Sequence, residues 1–154
     1  MMNYVAHAKD QALTAHHDLF SYHPMPFYED TEQTRSRFHK KLDLNLYCIK
    51  RPQQTCFIRV QNPDLMAWGI EQGDMLVVEK NDSLSIGDLI VIEVNQKLEI
   101  FEFIAYDKNE FVFLSLSSKL NNIRTANWST LPIIGTVTNT IHQMKPKNTI
   151  SFAA

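Results

Sequence analysis

The chain has 154 residues, 44% hydrophobic and 21% charged, with a formal net charge of -2. That length supports one domain whose core needs neither disulfide nor metal, and the charge balance, with a pI near 6.3, argues against strong direct DNA binding. No apolar run approaches the ~20 residues of a membrane span, and the N-terminal MMNYVAHAKDQ lacks the basic-then-apolar order of a secretory signal, so a cytoplasmic protein without a membrane partner is expected.

In chain order, the texture changes near residue 42. Residues 1–40 are polar, His-rich and interrupted by YHPMPFYED, and read as an arm; residues 41–145 read as a β domain, and 146–154 as a tail. Within the arm, DQALTAHHDLFSY (10–22) has Leu13, His17 and Phe20 spaced for one face of a short helix. His16 and His17 are adjacent and point apart on a helix, and His7, His23 and His39 stand in unrelated contexts. No His-x-x-x-His pair or carboxylate partner falls at ligand spacing, so no metal or other cofactor is expected. Arg35, Arg37, Lys40 and Lys41 read as a solvated helix face. Cys48 and Cys56 lie in the apolar stretches LNLYCIK and TCFIRV and read as buried free thiols.

From residue 55 the strand signals are dense: TCFIRVQ (55–61), DMLVVEK (74–80), DLIVIEV (88–94), KLEIFEFIAY (97–106), EFVFLSL (110–116) and PIIGTVTNTIHQM (132–144). Short polar connections at Asn81-Asp82-Ser83, Asn95-Gln96 and Asp107-Lys108-Asn109 predict a mainly antiparallel sheet. Leu98 and Ile100 alternate with Lys97, Glu99, Phe101 and Phe103, so that strand turns apolar on both faces toward its end. Both faces of the sheet are therefore expected to be partly covered, as in a folded-over sheet. Between the first two strands, QNPDLMAWGIEQGDMLVV (61–78) reads as a loop that lifts Asp64 and Leu65 behind a turn, passes Gly69, and enters a buried strand through Gly73-Asp74.

Taken together, KLDLNLYCIKRPQQTCFIRVQNPDLMAWGIEQGDMLVVEK, GDLIVIEVNQKLEIFEF and PIIGTVTNTIH resemble the catalytic domain of the UmuD/LexA family of Ser-Lys autoproteases. The likeness is to its UmuD-like branch, which has a short arm and no DNA-binding winged helix in front. The matching landmarks are Asp43-Leu44-Asn45, Gly69-Ile70, Gly73-Asp74, Gly87-Asp88 and Gly135-x-Val137, at matching spacing over about residues 40–145. The resemblance implies the UmuD/LexA catalytic-domain fold: mainly β, a folded-over and mostly antiparallel sheet of about six to seven strands, with a short, partly helical N-terminal arm.

The departures from the family pattern bear on chemistry. The family's Ser-Gly-Asp-Ser-Met loop carries its nucleophile at the second Ser; here the slots hold Gln61, Asn62, Pro63, Asp64 and Leu65, so Asp64 takes the nucleophile position. The family's Val-Asp-Gly-Glu-x-Thr-Val-Lys ends in the general base; here Val94 to Phe101 puts Phe101 in its place. A Ser hydroxyl attacks only after a base takes its proton, and a Lys serves only if burial keeps it neutral. Lys97 shares the parity of Phe101 but stands four residues away, about 13 Å along a strand. Ser83 and Ser85 have no base beside them. The family cuts its arm before a Gly; aligned on HPMP (23–26) the bond falls at Ser21-Tyr22, and counted back from Asp43 it falls at Tyr28-Glu29, neither with a Gly.

The expected protein is therefore a pseudoprotease with a degenerate dyad (Asp64, Phe101) and a vestigial cleavage position (Ser21, Tyr22). Its old cleft would be flanked by Trp68 and Phe101. Asp64 reads most simply as a polar loop tip, Phe101 as filling the volume of the absent Lys, Trp68 as a ring packed over the cleft or an anchor for a partner, and Trp128 as a lid on the core. The final strand, Ile133 to Ile141, and the apolar residues of the arm need covering, which points to a homodimer. By the resemblance, the partners would be a Y-family translesion polymerase subunit, a RecA filament or a cleavage-competent UmuD-like chain, in the DNA-damage (SOS) response. Transcriptional or mixed-dimer regulation is the alternative within that class, and a peptidase with a rearranged site around Asp64 is the alternative outside it.

Overall fold

A computed structural model describes residues 25–27 and 40–145. The arm helix expected over 10–22, the five arm histidines, Arg35 and Arg37, the Ser21-Tyr22 and Tyr28-Glu29 positions and the tail from 146 lie outside the described residues. The chain divides into two compact units, one up to Lys50 and one from Arg51, so the change of texture near residue 42 falls inside the first unit. In that unit β1 (Met25–Phe27) pairs antiparallel with β2 (Lys40–Leu42), Met25 opposite Leu42. Helix α1 (Leu44–Cys48) follows, and Asp43 caps it by accepting from the N–H groups of Asn45 (2.9 Å) and Leu46 (3.3 Å). The Asp-Leu-Asn landmark is thus a helix start, where a carboxylate satisfies amides that have no partner inside the helix.

The second unit is one seven-stranded sheet. Its strands are β3 (Thr55–Arg59), β4 (Met75–Glu79), β5 (Leu89–Val94), β6 (Lys97–Asp107), β7 (Glu110–Ser115), β8 (Ile123–Thr125) and β9 (Ile133–Ile141), in spatial order β3-β4-β9-β5-β6-β7-β8 with every neighbouring pair antiparallel. Six of these grow from the expected apolar runs. The three-residue β8 was not expected, because one Ile between polar residues leaves no alternation to read. The two hairpins at β5/β6 and β6/β7 turn through Asn95-Gln96 (φ 51° and 64°) and Lys108-Asn109 (φ 50° and 63°). Two successive positive φ values give the tight turn whose twist matches the flanking strands.

The last strand lies inside the sheet. β9 pairs with β4 over Thr136 to Ile141 and with β5 over Ile133 to Thr136. Its backbone is thus paired on both sides, while Ile141 at its end stays exposed. The edges are β3 and β8, and the apolar run of β3, read as buried, leaves Cys56 and Phe57 exposed; Cys48 is half-buried, and both thiols are free.

Two apolar clusters lie on opposite faces of the sheet. Residues directly opposite across a ladder share a face, so the pairs Val91/Ile100 and Ile90/Phe101 separate the two. The first cluster joins Leu76, Val78 and Val91 to Val60, Leu65 and Ile70 of the loop and to Leu116. The second joins Ile90, Ile92, Phe101, Phe103 and Phe113, and half-buried Trp128 packs against it as the expected lid. Gly135 is set where β9 crosses β4 closely: a Cβ there would lie 2.6 Å from the Glu79 carbonyl oxygen and 2.8 Å from its carbon. Backbone cannot yield as a side chain does, so Gly135→Ala is expected to cost about 1–3 kcal/mol, read as a lower urea midpoint at unchanged slope.

Candidate functional site

The loop between β3 and β4 is closed at its base by two backbone hydrogen bonds, Val60 N–H to the Asp74 carbonyl (2.8 Å) and Gly73 N–H to the Val60 carbonyl (2.9 Å). Inside that closure Pro63–Trp68 forms a short 3-10 helix. Asn62 starts it, its Oδ1 accepting from the Asp64 N–H at 2.9 Å, with Pro63 at the first position where a missing N–H costs nothing. Gly69 ends it at φ 73°, its N–H donating to the Met66 carbonyl at 3.0 Å. That left-handed cap is a conformation glycine adopts freely. Leu65, 1% exposed, anchors the loop in the first cluster. Asp64 is then left on the outer side, exposed.

The Asp64 carboxylate accepts a hydrogen bond from the Ser118 hydroxyl, Oγ to Oδ2 at 3.2 Å, which joins the loop to the segment after β7. Trp68, 37% exposed, donates from Nε1 to Glu102 Oε2 at 3.1 Å, and Met66 beside it is exposed. Phe101 is 1% exposed inside the second cluster. Neighbouring residues on a strand point to opposite faces, so Trp68 meets β6 on the face of Glu102 and Phe101 fills the other. The structure brings Asp64 to Ser118 and Trp68 to Glu102; it does not bring Trp68 and Phe101 together around one cleft. Phe101 does fill core volume. Ser21 and Tyr22 lie outside the described residues, and Lys97 is exposed at the start of β6.

One cluster was missed from the sequence. Asp74 is 3% exposed, its Oδ2 accepting from the Glu71 N–H at 2.9 Å and its Oδ1 lying 2.6 Å from His142 Nδ1. His142 Nε2 lies 3.6 Å from Glu71 Oε2. The Glu71 amide hydrogen bond holds the Asp74 carboxyl below its ordinary range, and His142 adds to this against the opposing effect of burial. The bond to Asp74 raises His142 above its ordinary 6.5, with the charges of Glu71 and Asp74 acting the same way. Asp74 was legible only as part of a Gly-Asp turn; its partner is 68 residues away. The signal was the strand register, since Met75 opposite Ile141 sets Asp74 and His142 side by side. Among the described residues no group of His, Cys, Asp and Glu is placed to hold a metal ion, and no helix is long and apolar enough to cross a membrane.

Residues 23–138 match the Peptidase S24-like family. The chain belongs to that family, the family of LexA and UmuD. As expected of an S24 domain, it is mostly β, with seven strands in the main antiparallel sheet. It is 56% identical over 117 residues to an uncharacterized protein of Haemophilus influenzae, covering 75% of this chain and 82% of that one. It is 39% identical over 57 residues to Protein SamA of Salmonella typhimurium and 44% identical over 41 residues to Protein ImpA of Escherichia coli, spanning 36% and 28% of those proteins. S24 is a peptidase family, and the likeness to SamA and ImpA is confined to these short stretches.

The titration directions set a pH dependence for this S24 chain. A raised His value means the pair's contribution is full below about 6.5 and fades as pH rises through the higher folded value. A lowered Asp value means a contribution present above about 3.9 and lost as pH falls through the lower folded value. Against His142→Gln, the wild-type advantage in Tm is expected to be widest near pH 5–6 and to shrink toward pH 9; thermal melts across that range check it.

Proposed function

We propose that this S24 protein is a UmuD-like binding module that has lost self-cleavage and acts as a dimer in the DNA-damage response. Its role would be that of an accessory or regulatory subunit of a translesion polymerase in the cytoplasm. The observation that supports this is the pair of environments at the two slots where the family motif carries its dyad. Asp64 accepts a hydrogen bond from an alcohol, and Phe101 is sealed among phenyl and aliphatic side chains. A carboxylate attacking a peptide carbonyl would have to form an anhydride, uphill from an amide, and a phenyl ring can take no proton. The resemblance to the UmuD-like branch and the partial likeness to SamA and ImpA support the damage-response role.

The polymerase partner, the RecA filament and the cleavage-competent relative follow from the family analogy, with transcriptional or mixed-dimer regulation as the variant of it. Since β9 is interior, the exposed β3 edge, with Phe57, is the better place for a second subunit. A second reading has one observation in its favour. The Ser118 hydroxyl donates to Asp64, which is half of a serine-centred site. A working nucleophile needs a base poised near neutral pH, and His142 is instead engaged with Asp74 and Glu71.

Two measurements test the proposal. Tagged protein from DNA-damaged cells is expected to retain a polymerase subunit, RecA or a UmuD-like chain; retention of none of them contradicts the binding-module role. Asp64→Ser with Phe101→Lys is expected to leave the chain uncut by intact mass. The same pair is expected to lower stability by about 2–5 kcal/mol, because Phe101→Lys puts an ammonium among Ile90, Ile92 and Phe113 without a partner. Cleavage of the double variant would show that the base slot is still geometrically live.

A further inference from the structure

The Asp74–His142–Glu71 cluster is not used by the dyad slots or by any partner argument, and it sits where the candidate loop rejoins the sheet. Its geometry is asymmetric. His142 offers Nδ1 to a buried carboxylate at 2.6 Å and Nε2 to an exposed one at 3.6 Å. Asp74, 3% exposed and already fixed by the Glu71 amide, is the stronger acceptor, so neutral His142 keeps its one proton on Nδ1. Nε2 is then a bare lone pair facing Glu71 Oε2, and two acceptors repel. When His142 is charged, Nε2 carries a proton and Glu71 becomes a partner.

We propose that His142 is a proton-operated clasp on the loop, holding the Glu71 carboxylate when charged and releasing it when neutral, while keeping Asp74 in both states. The groups facing it fit that division. From the turn before β4 come Asp74 and Glu71. From β3 comes Arg59, whose Nη1 donates to the Gly73 carbonyl at 3.1 Å and holds the turn independently of pH. Glu71 follows directly on Ile70, the core-anchored end of the loop that carries Asp64 and Trp68, so the proton's effect reaches the loop within one or two residues. The clasp stands apart from the loss of the dyad: either holds without the other.

The test is an NMR titration of the full chain labelled at His and Glu, from pH 5 to 9. The expected result is a single Nδ1–H tautomer for neutral His142 and a Glu71 carboxyl shift that steps at the His142 midpoint. Glu71→Gln, an exposed change that leaves the fold intact, is expected to lower that midpoint by a few tenths of a pH unit. The protection of the Leu65 to Ile70 amides against exchange, taken relative to the base-catalysed rate of an open chain at each pH, is expected to fall severalfold through the same midpoint in the wild type and to lose that step in Glu71→Gln. An Nε2–H tautomer at high pH overturns the clasp, and so does a midpoint unmoved by Glu71→Gln or loop exchange that ignores His142. Asp74→Asn, if folded, is expected to lower the midpoint further than Glu71→Gln; a smaller shift than that also counts against the proposal.

Discussion

The alternation of β6 is the constraint from which the site follows. Ile100 and Glu102 face the cluster and loop on one side of the sheet; Phe101 and Phe103 face a separate aromatic cluster on the other. A strand has no freedom to present neighbouring residues to the same side, and each side here is packed. Phe101, which the motif resemblance sets at the base slot, therefore belongs to a core made with Phe113 and Ile90, and the loop that carries Asp64 is stitched to β6 through Trp68 and Glu102. A phenyl ring stabilises that core by burial; a lysine there would need a partner to remain charged or would give up its charge.

The loop itself shows how fold and chemistry separate. Leu65, Gly69, Ile70 and the two hydrogen bonds at Val60 build its shape, and none of them reacts. Asp64 adds its backbone N–H, which donates to Asn62, and a carboxylate that accepts from the Ser118 hydroxyl and joins the loop to the segment after β7.

Much of the fold was legible because antiparallel strands write their pattern locally: alternation in β6, Asn-rich turns after β5 and β6, and Gly-Asp turns before β4 and β5. What was hidden depends on who neighbours whom. The interior position of β9, the exposure of Cys56 on an edge strand and the split of Trp68 and Phe101 onto opposite faces are properties of the strand order β3-β4-β9-β5-β6, which no local window contains. His142 was hidden for the same reason, since its partner is set by register and not by spacing. The two dyad slots were readable only through motif resemblance; their surroundings came from the packing.

Loss of self-cleavage is proposed for this S24 domain on the surroundings of Asp64 and Phe101. Incubating the purified wild-type chain with an activated RecA filament, and in parallel at alkaline pH, while following intact mass tests it most directly. The account predicts that the full-length mass persists with no defined fragment. A discrete cut in the arm, abolished by Asp64→Ala or Ser118→Ala, would contradict it.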